Sequence, residues 1–216
     1  MSPAGSAAIT LCLAVGMGLT TAHSDAVQGA GPRARAAEYL AAVDAGEWDK
    51  AAGFIESGDA VTFRQMTLTV LLFRMSRADS TRTGAFSSAD PATALRNGYG
   101  AMRVAPLRDR ATVADILALS PRELLAGGLE ATHARFHTPP SRGVAVRVHR
   151  DIRDVRLLDE STARVRYTMR AAPESITMSS DLMELPLRKH ANRWYVMPTG
   201  ELASPMQLVG YLTESM

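Results

Sequence analysis

The 216-residue sequence holds one cysteine, Cys12, and only two lysines, Lys50 and Lys189, among its 24 basic residues. One cysteine can form neither an internal disulfide nor a thiolate metal site. Charge of one sign is also lacking. The formal net charge is +2, so there is no acidic or basic tail to engage a polyion. Gly-rich phosphate loops, a Gly-x-Ser-x-Gly elbow, paired catalytic carboxylates and internal repeats are absent. Those absences exclude phosphate cradles, the hydrolase nucleophile elbow and solenoid folds. Aromatic residues are sparse, at 6%. Arginine in place of lysine reads as the codon bias of a GC-rich bacterial genome.

The longest uncharged apolar run is short. Ala7 to Leu19 (AAITLCLAVGMGL) is followed by Thr20, Thr21 and Ala22. An apolar core of roughly 7–15 residues before small residues at −3 and −1 is the pattern of a secretory signal. Thr20 and Ala22 fill those positions, which predicts a signal peptide over residues 1–22 although no Lys or Arg precedes the run. A spanning helix needs about 20 apolar residues, so no transmembrane anchor is expected after processing. The expectation is an exported protein, periplasmic or extracellular. Cys12 leaves with the signal, and the remaining chain is long enough for one sizeable domain.

Residues 23–32 read as a flexible lead-in. Pro32 suits a first helical turn, and Ala36, Ala37, Tyr39, Leu40 and Val43 form a helical stripe up to Gly46. A second short helix carries Trp48, Ala51, Ala52, Phe54 and Ile55. Val61–Met75 reads as a third, well-buried helix. Residues 76–115, rich in Ser, Thr, Gly, Ala and Arg, read as a loop-rich insertion with short helices near Pro91–Tyr99 and Thr112–Leu119. Ser120-Pro121-Arg122-Glu123 is a capping box with proline at the first position. It starts a helix that Pro139 and Pro140 stop.

Beyond Pro140 the period changes from 3.6 to 2. Val144, Val146 and Val148 alternate with polar residues and continue, past an irregularity at Asp151–Asp154, to Val155 and Leu157. Ala163, Val165, Tyr167 and Met169 alternate in the same way. Ile176–Leu187 and Arg193–Met197 are two further strands, and a terminal helix covers Met206–Leu212. Helices followed by strands argue for α+β: N-terminal helices on a curved antiparallel sheet of about four strands, within one domain spanning 33–216.

The order of parts resembles the nuclear-transport-factor-2-like superfamily, the cone-shaped fold of ketosteroid-isomerase-like and polyketide-cyclase-like proteins. The similarity rests on AAEYLAAVDAGEWDKAAGFI (36–55) and on STARVRYTMR with LPLRKHANRWYVMP (161–198). It implies a concave apolar pocket, for which Tyr39, Trp48, Tyr167 and Trp194 are the candidate lining residues. The isomerase-like members pair a pocket acid with a tyrosine. Asp181 and Glu184 are the nearest strand acids here, and both read as solvated. Many other members bind ligands or partners without chemistry.

Two further constellations stand out. His133 and His137 lie four apart on one helix and share a face suited to a metal ion. Ala134 stands where a zinc protease needs glutamate, and a third ligand would have to come from elsewhere, such as His149. Arg147, Arg150, Arg153, Arg156, Arg164, Arg166 and Arg170 give the sheet a basic face interleaved with Asp151, Asp154, Asp159 and Glu160. That pattern reads as a solvated surface, and no aromatics interleave with it to stack nucleic-acid bases. Met66, Met75, Met169, Met178 and Met183 read as packing. The expected function is therefore a non-catalytic domain that binds a small apolar ligand or a partner protein, with no cofactor and no nucleic acid. The alternatives are an isomerase- or cyclase-type enzyme and weak metal binding through His133 and His137.

Overall fold

The computed structural model describes residues 31–78, 90–137, 147–172, 182–199 and 203–214; the side chains of 134–137, 147, 171 and 172 lie outside that description. The candidate signal over 1–22 and most of the lead-in also lie outside it. The first helix, α1, is Pro32–Asp44, with Pro32 in the first turn. It ends at Ala45-Gly46, where Gly46 takes φ +70°, a left-handed conformation that costs glycine nothing. α2 is Trp48–Ala52 and α3 is Ser57–Ala78. After α2 the chain adds to the sheet: Val196 N–H donates to Phe54 O at 3.0 Å, and Ile55 bridges Val196 in parallel.

The stretch from residue 90 is more regular than its composition suggests. Residues 90–118 form α4 (Pro91–Tyr99), a hairpin of β1 (Arg103–Leu107) and β2 (Arg110–Thr112), and α5 (Val113–Ala118). Leu95, Tyr99, Val104, Leu107, Val113 and Ile116 are all buried. The two short helices match expectation, whereas the hairpin was hidden. Its strands have five and three residues and contain Pro106, too little for a period of 2 to emerge. Its turn uses left-handed Arg108 and Asp109 (φ 50° and 64°), and arginine is no turn signal.

α6, Pro121–His137, begins at the expected capping box. Ser120 N–H donates to Glu123 Oε2 at 2.8 Å, and Glu123 N–H donates to Ser120 Oγ at 3.3 Å. α6 is the helix on which α2, α3 and α7 (Pro205–Leu212) pack. No helix among the described residues is long and apolar enough to cross a membrane.

The four-stranded antiparallel sheet runs in order β3 (Arg147–Leu157), β4 (Thr162–Ala172), β5 (Met183–His190) and β6 (Arg193–Val196). The expected irregularity is a bulge at Arg153, between the pairs Ile152–Tyr167 and Asp154–Arg166. The third strand was expected to start at Ile176; 176–181 lies outside the described residues, and β5 begins at Met183. The sheet is curved, and its concave face lies under α1. Val165, Tyr167, Leu185, Leu187 and Val196 meet Ala36, Tyr39, Leu40 and Val43 in one core.

The β3–β4 turn is held by Asp159, whose carboxylate accepts from Ser161 N–H and Oγ and from Thr162 N–H and Oγ1 at 2.5–2.8 Å. These donors, the Thr162 hydroxyl foremost, pull its pKa down to about 2. A carboxyl with a depressed folded pKa contributes stability above its unfolded value, near 3.9, and loses it as pH falls through the folded value. The expected result is that Asp159→Asn loses less of its urea midpoint than wild type between about pH 4 and pH 2, as read by circular dichroism.

Candidate functional site

The end of α1 carries an acid in an unfavourable place. Asp44 is the last residue of the helix, where the free carbonyls already present partial negative charge. Its compensation comes from the sheet. Along β3, Val148, Arg150 and Ile152 share the concave face, since side chains alternate along a strand, and Arg150 pairs across the ladder with Met169. The Arg150 side chain is only 4% exposed and forms an ion pair with Asp44, which is 22% exposed. Its Nη1 donates to Asp44 Oδ1, and its Nη2 lies 3.5 Å from Nδ1 of His133. This corrects the expectation that Arg150 belongs to the solvated basic face.

His133 is buried on α6, and its ring stacks on Trp48 with centroids 5.6 Å apart and planes 12° apart. The indole stacks on the imidazole, and the guanidinium meets the imidazole at its Nδ1 edge, so contacts run from α2 to β3. Deeper in the core, Tyr39 and Tyr167 are fully buried. The Tyr39 hydroxyl has no hydrogen-bond partner among the described residues, and its ring meets Phe54 edge-on at 6.1 Å. Burial pushes the Tyr39 phenol well above its ordinary pKa, neighbouring Tyr167 adds to the rise, and Arg150 opposes it. The phenol thus stays protonated across the physiological range.

The four candidate pocket residues take different places in the fold. Tyr39 and Tyr167 come together inside the core. Trp48 stands at one end on His133. Trp194, on β6, is 7% exposed, and its carbonyl accepts from Arg35 Nε at 3.1 Å. His149 is exposed on the strand face opposite Arg150, so it does not join His133 as a metal ligand. The His137 side chain and Asp181 lie outside the described residues. Among the described residues, no three His, Cys, Asp or Glu side chains gather as a metal site. Glu184 is half exposed and pairs with Arg164 at 3.2 Å and Arg166 at 4.0 Å, while Arg170 meets Asp151 at 3.4 Å. The outer face of the sheet is thus a lattice of screened ion pairs, as expected, worth little each.

One opening among the described residues lies beside Arg150. A groove of about 640 Å³ runs between the outer flank of α1 and the edge of β3. Ala34, Ala37 and Ala41 form one wall, because small residues at helical spacing leave that flank shallow, and Ile152 forms the other. Asp44 and Arg150 line one part of it. Arg33 also lines it, donating from Nη2 to Ile152 O at 3.3 Å. Sequence reasoning missed Asp44 and the groove. It also missed the inward turn of Arg150, although the parity of Val148 and Ile152 carried that signal. No protein-family model, curated protein or solved structure matches the chain.

Proposed function

We propose that this chain is a non-catalytic binding domain of the nuclear-transport-factor-2-like kind that takes a small, mainly apolar ligand into the groove between α1 and β3. The observation that carries the reading is the groove itself. Its volume of about 640 Å³ falls within the roughly 300–1,000 Å³ of small-molecule sites, and its alanine and isoleucine walls with a few convergent polar groups match their usual make-up. An isomerase-type reading fits less well. It needs a carboxylate and a phenol both within hydrogen-bond reach of a substrate. Here Asp44 is engaged by Arg150, and Tyr39 and Tyr167 are sealed in the core. The metal reading has a positive charge, the Arg150 guanidinium, beside one of the two nitrogens of His133 that could bind a cation.

A neutral fluorescent probe, N-phenyl-1-naphthylamine, tests the groove. Saturable binding at one site is expected. Ala37→Trp, which fills the groove from an exposed helix position, should weaken it by about tenfold or more, equivalent to at least about 1.4 kcal/mol, at unchanged thermal stability. No saturable binding, or equal binding by the variant, would count against the proposal.

A further inference from the structure

Four charged side chains line the groove: Arg33, Asp44, Arg150 and Asp151. Arg150 is an almost fully buried guanidinium on a sheet face otherwise lined by Val148, Ile152, Val155 and Tyr167. A buried ion pair is a poor source of stability, because desolvation consumes most of its attraction and an apolar replacement is often no worse. Its position on the wall of an open groove gives it another use. Arg33, also on the groove, has no carboxylate partner among the described residues and makes a single bond to a backbone carbonyl. On the acceptor side Asp151 is half exposed and meets Arg170 at 3.4 Å, and Asp44 is the anion that Arg150 holds.

We infer that the ligand of this groove is an amphiphile with a carboxylate head, a fatty-acid-like chain whose carboxylate takes the place of Asp44 on Arg150 while its tail lies along Ala34, Ala37, Ala41 and Ile152. The inference rests on the groove reading above and adds the headgroup. Asp44 acts as a resident counter-ion. It satisfies Arg150 in the free protein and, being partly exposed at a helix terminus, moves into water when a ligand carboxylate is brought to Arg150 by burial of its apolar tail. Arg33 stands at the groove to flank the head. A planar, bidentate guanidinium suits a carboxylate better than a hydroxyl or an ammonium.

The test is displacement of N-phenyl-1-naphthylamine from the full chain by decanoate, decanol and decyltrimethylammonium, each below its micelle concentration. Decanoate should bind about tenfold or more tighter than decanol in the wild type, as a charge-assisted pair outweighs a neutral one, and the cation should bind weakest. Arg150→Met should bring decanoate down to the level of decanol. Asp44→Asn, which removes the competing internal anion, should bind decanoate more tightly than wild type. Arg33→Gln, at an exposed position, keeps the headgroup claim testable should either buried variant unfold, and should lower decanoate affinity a few-fold. Equal affinity of decanoate and decanol for the wild type overturns the headgroup inference, and the naphthylamine titration with Ala37→Trp then still decides the groove. Failure of every probe to bind overturns both.

Discussion

Asp44→Ala is expected to lower the unfolding free energy by about 3 kcal/mol, the largest effect of any single truncation at the groove. The reason is what the variant leaves behind. Arg150 stays 4% exposed on the concave face, with only the His133 ring nitrogen at 3.5 Å and no counter-charge. Removing one partner of a buried pair costs about 3–5 kcal/mol, and the lower end applies because the groove admits water on one side. Arg150→Met should cost far less, about 1 kcal/mol, since the orphaned Asp44 can hydrate and the methionine fits among Val148, Ile152 and Met169. The double variant Asp44→Ala/Arg150→Met should then lie within about 1 kcal/mol of wild type, which gives a strongly favourable coupling. Urea unfolding followed by Trp fluorescence reads all three. An Asp44→Ala cost under about 1 kcal/mol would mean that Arg150 is solvated rather than paired.

The second large effect is at Gly128. α6 passes so close to α3 and α7 that a Cβ built on Gly128 would lie 2.8 Å from the Phe63 ring and 3.5 Å from a Leu208 methyl. At Gly127 the same atom would lie 2.9 Å from the branch carbon of Leu107. Glycine is a poor helix former, about 1 kcal/mol worse than alanine, so at an open position any side chain would stabilise α6. Here the sign reverses. Gly128→Val must displace Phe63 from a packed core and should cost about 3 kcal/mol. In a domain of this size that lowers the melting temperature by about 6–12 °C. Phe63→Ala in the same chain makes the room the valine needs. The two variants together should therefore cost clearly less than the sum of the two alone. Calorimetry of the four proteins checks it, and additive losses would show that α6 shifts as a body instead.

Much of the scaffold was legible because its signals are local. Pro32 and the Ser120–Glu123 box mark helix starts through their own backbone geometry. β3 to β6 follow from a period of 2 that needs only a handful of residues to declare itself. The β1–β2 hairpin was not legible, because three residues and a proline carry no period and left-handed Arg108 carries no turn signal. At the site, Tyr39 and Tyr167 were picked out as inward residues, and both are buried in the core. Arg150 was assigned to the wet face by the run of arginines at 147, 150, 153 and 156. That spacing of three cannot lie on one face of a strand, so at least one arginine had to turn inward.

What the sequence by itself determined is the α+β order of elements, the helix caps and the strand alternation. Each of these depends on residues within a turn or two of one another. Only the tertiary structure decided that Asp44, Arg150, His133 and Trp48 meet, and that alanines on α1 face the edge of β3 across a groove. Those partners come from four separate elements, and Asp44 and Arg150 are 106 residues apart in the chain. Their meeting depends on the crossing of α1 over the curved sheet, which no short stretch of sequence encodes.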